Sequence, residues 1–358
     1  MTCESRRTPN VVITWQGLPL YAASAISTAI RQGHETIHVV ATKPEVPLVG
    51  LEETLGIPVR WITRDSRCTF SELGLAVPDV IFTAGWSVPA FMRLATEVRR
   101  SGGRAVCMAD NSFRGDLRQC IGALVYRAFY LNHFNRVWVP GRSAAKLMRF
   151  YGVPTQRIDQ GLYTCDTDVF RSIRPLKDRP LAFIFVGQLC ARKNVGRLCS
   201  AFLKFLTLTG MRSTLDLFGS GPLQDQLPRH PAIRIHGFAN PERLAMALNE
   251  SRCLVLPSVL DHWGVVVHEA ASCGTLLIVS DTTGSALDLC GPENSRLIQA
   301  KNDDDLVNAF VWAASLSPST LCAASQMSQE LASTYSNARW ADRIHHICES
   351  LPRNQPRS

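Results

Sequence analysis

Several features that would place this chain in a special class are absent from its sequence. No run approaches the ~20 apolar residues of a membrane-spanning helix, and the first ten residues, MTCESRRTPN, contain no apolar signal core. The twelve cysteines form no C-x-x-C pair, whereas a disulfide or zinc framework needs clustered spacing. We therefore expect a cytoplasmic protein whose cysteines are small core residues in a reducing compartment.

Phosphate-binding and nucleic-acid signatures are also missing. Neither half carries G-x-G-x-x-G after its first strand, which disfavours a dinucleotide oxidoreductase, and G-x-x-x-x-G-K-[ST] is absent. Basic and aromatic residues do not interleave, so no nucleic-acid partner is expected. The acidic stretches DTD (166–168) and NDDD (302–305) are interpreted as linker and helix N-terminus, so no metal site is predicted.

The remaining composition is that of a globular protein with an uneven charge. The chain has 358 residues, 46% hydrophobic and 19% charged, which favours two domains. Residues 1–178 hold 22 Lys and Arg against 15 Asp and Glu, while residues 179–358 hold 16 against 15. The first half could face an anionic membrane surface or phosphorylated lipid, or could simply have a solvated basic surface.

Eleven apolar β-type runs, six in the first half and five in the second, alternate with helical patterns along the chain. This alternation predicts an α/β fold with parallel sheets in two doubly wound domains. A proline-rich and charged stretch at 160–180 is interpreted as the linker, separating domains at 1–160 and 175–335. A C-terminal helix at about 336–352, with Trp340, Ile344, Ile347 and Leu351 on one stripe, could pack back on the first domain.

Ligands of doubly wound sheets bind beyond the carboxyl ends of the strands, so the turns after strands are the candidate sites. In VGQLCARKN, Arg192 and Lys193 follow a strand and are predicted to open a helix. A bound anion would resolve the conflict between two cations and the positive helix end. The alternative is an exposed basic pair at a helix start.

The stretch DHWGVVVHEAASCG (261–274) holds two acids around a strand-to-helix turn. The first free N–H groups of the predicted helix, at Gly264, Val265 and Val266, could bind a pyrophosphate. Glu269, in an apolar helix, could accept hydrogen bonds from a vicinal diol, and Asp261 could reach sugar hydroxyls. The alternative makes Asp261 a helix cap and Glu269 a surface residue.

These turns carry a resemblance to a known family, the retaining glycosyltransferases of family 4, which have the GT-B architecture of two Rossmann-like domains. The resemblance runs in order from Gly187 to Gly284. It comprises Gly187, Gln188, Arg192, Lys193, Gly219, Gly221, Pro222, Gly237, Phe238, Pro257, Ser258, Asp261, Trp263, Gly264, Glu269, Ala270, Gly274, Ser280, Asp281 and Gly284.

The resemblance implies that the second domain binds a nucleotide-diphosphate-sugar as co-substrate, without other cofactor or metal. Arg192 and Lys193 would neutralise the diphosphate, and Glu269 would hold the ribose. The loop around His236, Gly237 and Phe238 would lie by the base. Asp261 stands where many members have glutamate, and Gln188 replaces the more usual arginine. The implied substrate-binding residues are Gly17, Gln188, Gly219, Phe238, Ser258, Trp263, Gly264, Val265 and Glu269.

The first half resembles the family less strongly. Gly17 matches a loop that approaches donor phosphate or acceptor, and Asp110 falls where members often have a catalytic histidine or acid, with Asn111 and Arg114 nearby. A turn-forming role for Asp110 is the alternative. The implied catalytic set is Asp110, Arg192, Lys193, Asp261 and Glu269.

The expected activity is retaining, metal-independent hexosyl transfer to a glycan or lipid-linked acceptor. The family's common roles suggest cell-surface polysaccharide or lipopolysaccharide synthesis at the inner face of the membrane. The alternatives are a GT-B nucleotide-sugar epimerase or hydrolase, and a non-catalytic nucleotide-sugar-binding protein.

Overall fold

The structure, a computed structural model, describes residues 8–44 and 50–351. Two predictions fall partly outside these ranges. One concerns the signal core, whose first seven residues are not described, and the other concerns the C-terminal helix, whose predicted last residue is Pro352. The chain forms two compact units. The first unit consists of two segments of the chain, one ending at Thr164 and one beginning at Asn337. The second unit spans Cys165–Ser336.

The first unit is built on a seven-stranded parallel sheet in the order β3-β2-β1-β4-β5-β6-β7. Its central strands are buried on both faces, as parallel strands covered by helices must be; Val11, Val12 and Ile13 are fully buried. Its elements are β1 (Asn10–Gln16), α1 (Leu20–Gln32), β2 (Thr36–Thr42), α2 (Leu51–Leu55), β3 (Val59–Ile62), β4 (Val80–Ala84), α3 (Pro89–Arg100), β5 (Arg104–Met108), α4 (Leu117–Phe129), β6 (Arg136–Val139), α5 (Arg142–Phe150) and β7 (Ile158–Gln160).

The second unit repeats the architecture with six parallel strands in the order β10-β9-β8-β11-β12-β13. Four phenylalanines, Phe183, Phe202, Phe205 and Phe310, fill its core between sheet and helices. Its elements are β8 (Ala182–Val186), α6 (Val195–Thr209), β9 (Thr214–Phe218), β10 (Ile233–Gly237), α7 (Pro241–Asn249), β11 (Cys253–Leu256), α8 (Val265–Ser272), β12 (Leu276–Ser280), α9 (Ala286–Leu289), β13 (Ser295–Ile298), α10 (Asp303–Ser315) and α11 (Pro318–Ser333).

The last helix, α12 (Asn337–Ser350), belongs to the first unit, where it packs on α1. Its stripe of Trp340, Ile344, Ile347 and Leu351 is buried. The Trp340 indole donates to the Leu162 carbonyl at 2.8 Å. The apolar spacing therefore indicated the buried face of this helix correctly.

The predicted α/β class with two doubly wound sheets is confirmed. Each of the eleven predicted strands corresponds to a strand of the structure, while the short strands β7 and β13 were not predicted. Asn302 caps α10 by accepting from the N–H groups of Asp304 and Asp305 at 3.1 and 3.3 Å, as expected for NDDD. All eleven cysteines in the described ranges are free thiols.

The stretch interpreted as linker is largely part of the second unit. Arg179 is only 1% exposed, and its guanidinium donates to the carbonyl oxygens of Arg174, Leu248 and Cys273 at 2.6–3.0 Å. A further bond, at 3.0 Å, reaches the Thr275 hydroxyl. Burial lowers the pKa of Arg179 to about 10. This side chain ties the start of the unit to the segment that follows α8.

No single helix in the described part of the chain has the length and apolarity to cross a membrane. One bent pair, Asp303–Ser315 with Pro318–Ser350, meets the criteria by length and composition only.

Replacing Arg179 should destabilise the second unit. Arg179→Met keeps most of the stem but leaves buried carbonyl groups without donors, so we expect a loss of about 3 kcal/mol or more in unfolding free energy. Urea denaturation measures this loss. The exposed Arg212 provides the matched control, since Arg212→Met should change stability by less than about 0.5 kcal/mol. Equal stabilities of the two variants would contradict a structural role for Arg179.

Candidate active site

Four turns of the second unit follow the carboxyl ends of neighbouring parallel strands. They come after β8, β9, β11 and β12 and occupy residues 187–194, 219–222, 257–264 and 281–285. Parallel strands place these ends at one edge of the sheet. The turns therefore gather most of the residues singled out from the sequence.

Glycines allow these turns to pack backbone against backbone. A Cβ at Gly219 would overlap the carbonyl oxygen of Gly187, and one at Gly284 would overlap that of His262. Gly219 donates its N–H to Gly237 at 2.7 Å, and Gly284 donates to Asp261 at 2.9 Å. No larger residue fits at either position without displacing a neighbouring turn.

Arg192 and Lys193 lie in a short 3₁₀ turn, Ala191–Lys193, rather than in the first turn of α6. The expectation that they open the long helix is therefore wrong. Asn194, at φ +60°, separates the turn from α6, and it is the one non-glycine residue with positive φ in the described ranges. Its side-chain amide donates to the Ala300 carbonyl at 2.6 Å. Asparagine tolerates this left-handed conformation, which re-aims the preceding cations.

The Arg192 turn is bound to the turn after β11. The Arg192 carbonyl accepts from the Val259 N–H at 2.9 Å, and its guanidinium donates to the Leu260 carbonyl at 3.0 Å. The residue is otherwise exposed. Arg192 thus holds a fixed position while most of its donors face solvent.

Lys193 forms an ion pair with Asp261. The Lys193 Nζ lies 2.5 Å from Asp261 Oδ2, and each side chain is 12% exposed. The Lys193 stem runs alongside Gly187. Ser258, fully buried, places its hydroxyl 3.5 Å from the same carboxylate oxygen. Lys193 and Asp261, which the sequence places in different turns, therefore contact each other directly.

The start of α8 presents backbone donors at the same edge. Gly264 precedes the helix at φ +78°. The N–H groups of Gly264, Val265 and Val266 have no acceptor among the described residues, as expected for the first turn of a helix. Such groups can bind an anionic oxygen.

Glu269, in the second turn of α8, is surrounded by protein but partly open to solvent. Burial raises the pKa of Glu269 to about 7. Within the described residues no group hydrogen-bonds to its carboxylate, so its desolvation is uncompensated. An acid held in this way is suited to accept hydrogen bonds from ligand hydroxyls.

The other predicted contacts fall into two groups. Gln188 and Phe238 are exposed, Phe238 by 71%, and are open to a ligand. The Trp263 side chain is instead 2% exposed and lies edge-on against Tyr335 at 5.3 Å. The His236 ring stacks on Phe218 and lies 2.5 Å from Asp216. Gly237 ends β10, and the exposed Phe238 follows it directly.

In the first unit, Asp110 lines a cavity of about 400 Å³ together with Trp15, Trp86 and Tyr163. The Tyr163 hydroxyl donates to Asp110 Oδ2 at 2.8 Å. Burial and the nearby carboxylate raise the pKa of Tyr163 well above its usual value, which keeps the phenol a donor.

Two other residues of the first unit that were predicted as site residues, Gly17 and Arg114, have partners other than Asp110. Gly17 lies at φ +62°, with its N–H directed at Thr42. Arg114 pairs with Asp116 at 3.1 Å, and no contact with Asp110 is seen in the described structure.

A larger cavity of about 860 Å³ in the second unit lies away from the four turns. It is lined near the beginnings of β8 and β9 by Ala182 and Thr214, and by Asp216, Arg234 and His236. Arg234 and His236 both bind the Asp216 carboxylate, at 2.5–2.8 Å. We do not assign it to the candidate site, because none of its lining residues belongs to the four turns.

Two residues of the sites were not identified from the sequence. Asn194 separates the Ala191–Lys193 turn from α6, which the sequence analysis treated as a single helix start. The available signal for its left-handed conformation was the residue type, an asparagine directly before a helix. Tyr163 lies in the supposed linker, where no periodic pattern marks it. Among the described residues, no cluster of three or more His, Cys, Asp or Glu could hold a metal ion.

Residues 166–321 match the family described as Glycosyl transferases group 1. An uncharacterized glycosyltransferase of Methanocaldococcus jannaschii is 28% identical over 145 residues, 38% of this chain and 36% of the relative. The O-antigen chain mannosyltransferase B of Escherichia coli is 26% identical over 186 residues, 47% of this chain and 48% of the relative. The chain thus spans less than half the length of these curated relatives.

The fold is GT-B, with two Rossmann-like domains. The crystal structure of Anabaena HepE in complex with UDP superposes with a TM-score of 0.76 at 14% identity, covering 96% of this chain and all of that one. HepE has also been solved with UDP-glucose.

Glu269 should make the stability of the protein depend on pH. An unfolded glutamate titrates near about 4.3 and the native one at about 7. Between these values the native state binds the extra proton, so unfolding free energy falls as pH rises. Glu269→Gln removes this loss, and should be more stable than the parent by about 3 kcal/mol at pH 8 and about 1 kcal/mol at pH 5.

Urea unfolding of both proteins at the two pH values measures this difference. The exposed Glu293 supplies the control, because Glu293→Gln should give a small, pH-independent change. A Glu269→Gln protein with the same pH profile as its parent would show that the carboxyl is not held at a raised pKa.

Proposed function

We propose that this chain is a retaining glycosyltransferase of family 4, which moves a hexose from a nucleotide-diphosphate-sugar to a hydroxyl of a glycan or glycolipid. The observation that carries the proposal is the edge of the second sheet. There Arg192 and the Lys193–Asp261 pair lie in neighbouring turns beside the free N–H groups at the start of α8, and the second turn of that helix carries the unpartnered Glu269. The match of residues 166–321 to group 1 glycosyl transferases supports it.

Transfer requires the anomeric C–O bond to break while negative charge develops on the leaving diphosphate. Arg192, Lys193 and the N–H groups of Gly264 and Val265 are fixed donors that stabilise this charge, each worth about 3–4 kcal/mol. The acceptor oxygen bonds to the anomeric carbon from the same face. Its proton passes to the departing phosphate oxygen. Charge neutralisation by side chains makes the reaction metal-independent.

The remaining donor contacts follow from the chemistry of each residue. Glu269 accepts hydrogen bonds from the ribose diol, for which its ionised form is the better acceptor. Gly237 and Phe238 lie by the base, Gln188 and Gly219 line the phosphate side, and Ser258 acts through Asp261. The binding of UDP and UDP-glucose by HepE, which shares the fold, supports a nucleotide-sugar donor.

We assign acceptor binding to the first unit. Its cavity of about 400 Å³ offers the partly exposed indole ring of Trp86, a surface on which a sugar ring can pack, beside Asp110. Tyr163 fixes one oxygen of Asp110 and leaves the other available to an acceptor hydroxyl. Gly17 lets the backbone of this unit approach a ligand closely.

We propose a cytoplasmic location with peripheral contact at the inner face of the membrane, and a role in cell-surface polysaccharide or lipopolysaccharide synthesis. The uneven charge of the chain, +7 over residues 1–178, supports the membrane contact. The name of the Escherichia coli relative, an O-antigen chain mannosyltransferase, supports the polysaccharide role.

A panel of nucleotide-diphosphate-sugars should identify the donor by thermal stabilisation. A ligand at ~100 times its dissociation constant stabilises the native state by about 2.7 kcal/mol, and Glu269→Ala should abolish the response to that donor.

Incubation of the stabilising donor with glycan acceptors, followed by NMR of the product, should give a glycoside of retained anomeric configuration. Donor hydrolysis or epimerisation without an acceptor product would contradict a transferase, and binding without turnover would indicate a non-catalytic protein.

Lys193→Ala should lower turnover by roughly two to three decades, since one fixed electrostatic donor is lost. The steady-state rate with the identified donor measures the effect. Because the substitution also leaves Asp261 unpaired, Lys193→Ala/Asp261→Asn is the necessary comparison. Recovery of turnover in the double variant would show that Lys193 acts only by neutralising Asp261, whereas a persistent loss supports its action on the diphosphate. Arg212→Ala serves as the control for removal of a remote cation.

A further inference from the structure

Helix α4 of the first unit turns its large apolar side chains towards solvent. Leu117, Ile121, Leu124, Val125 and Phe129 are 83, 64, 67, 44 and 72% exposed; we call them the α4 apolar face. The opposite side of the helix, with Gln119, Ala123 and Tyr126, is buried. At 100° per residue the five exposed positions fall on one continuous side of the helix. Contiguous exposed apolar surface of this kind marks an interaction site.

Cations border this face on both sides. Helical geometry puts Arg118 beside Val125 and Phe129, and Arg127 on the opposite flank. Arg127 reaches the end of α5, donating to the Phe150 carbonyl at 2.9 Å, so α5 lies next to α4. On α5, Lys146 and Arg149 are exposed.

The charge of the surrounding segment is of almost one sign. Residues 114–149 contain seven Lys and Arg and a single acid, Asp116. Asp116 is already used, because it caps α4 through the Gln119 N–H at 2.9 Å and pairs with Arg114 at 3.1 Å. The apolar face is therefore framed by positive charge that the segment does not itself neutralise.

This combination selects between occupants. A second copy of the chain would bring its own arginines against Arg118 and Arg127, which like-charge repulsion disfavours. A bilayer containing anionic phospholipids offers an apolar layer for the side chains and negative head groups for the flanking cations. We propose that the α4 apolar face, with Arg118 and Arg127 on its two flanks, docks the protein on an anionic lipid bilayer.

The proposal deepens the peripheral membrane location given under the proposed function. It rests on that location and not on the donor chemistry of the second unit. The helix lies in the plane of the interface, with its buried side still packed on the first unit. Docking there brings a lipid-linked acceptor within the same surface layer as the first unit.

Vesicle co-sedimentation of the full chain tests the docking. The probes are vesicles of phosphatidylcholine alone and of phosphatidylcholine with about 30% phosphatidylglycerol, a fraction sufficient to give a negative surface potential. We expect binding to the anionic vesicles that weakens on raising the salt concentration. Ile121→Glu/Leu124→Glu should reduce the partition coefficient by at least about tenfold, and Arg118→Glu by several-fold.

Leu208→Glu is the matched control, because Leu208 is 65% exposed on α6 of the second unit. Circular dichroism and thermal midpoints verify that each variant is folded. Equal binding of the Ile121→Glu/Leu124→Glu variant and its parent, or equal binding to neutral and anionic vesicles, would overturn the proposal. A parental dimer in light scattering that this variant converts to monomer would overturn it in favour of self-association.

Sugar transfer to a short, water-soluble acceptor separates this test from that of the proposed function. The α4 variants should keep the parental rate on such an acceptor while losing vesicle binding. Vesicle binding by a protein without transferase activity would leave the docking surface standing and overturn the enzymatic proposal alone.

Discussion

The candidate site depends on one packing constraint, the contact of backbone with backbone between the turns at the edge of the second sheet. Gly219 and Gly284 lie so close to the carbonyl groups of neighbouring turns that any side chain would overlap them. The turns that carry Lys193 and Asp261 are joined by a further backbone contact, from the Val259 N–H to the Arg192 carbonyl, and these two side chains, far apart in the chain, form an ion pair. The cost is conformational entropy of the unfolded chain, which glycine raises at each position.

Two buried ionisable groups of the second unit differ in how their charge is satisfied. Arg179 donates to several carbonyl groups and a hydroxyl, so its guanidinium is compensated and its effect is to join segments. Glu269 has no hydrogen-bond partner for its carboxylate among the described residues, and its pKa rises to about 7. A charge that the fold satisfies is structural. A carboxylate that the fold leaves without a hydrogen-bond donor, near the carboxyl ends of the strands, is best explained by a ligand that supplies the donor.

The sequence predicted the architecture well because strand and helix periods are local signals. A fully buried strand such as β11 appears as an unbroken apolar run. The strands that were not predicted, β7 and β13, are three and four residues long at the sheet edges and contain polar side chains. Over such short lengths the alternation of exposed and buried residues is indistinguishable from a loop.

The sequence indicated which residues lie in the turns after the strands. It did not indicate which other residues their side chains contact. The Lys193–Asp261 ion pair joins positions 68 apart in sequence, and no local pattern encodes such a partner. The Trp263 ring enters the core because the backbone at Gly264 turns away from it, which residue type alone does not reveal. The 3₁₀ turn at Arg192 likewise follows from the left-handed conformation of Asn194, a single-residue feature.

The ion pair also bears on how the site would accept an anion. Without ligand, Asp261 neutralises Lys193, so Arg192 supplies the remaining positive charge of the turn, and Glu269 is partly protonated near neutral pH. Under the proposed function, an arriving diphosphate would compete with Asp261 for Lys193, and the released Asp261 carboxylate would become an acceptor for hydroxyl groups. Under the proposed function, the pairing that stabilises the empty site is thus exchanged for contacts with both ends of the donor, the phosphates through Lys193 and the sugar through Asp261.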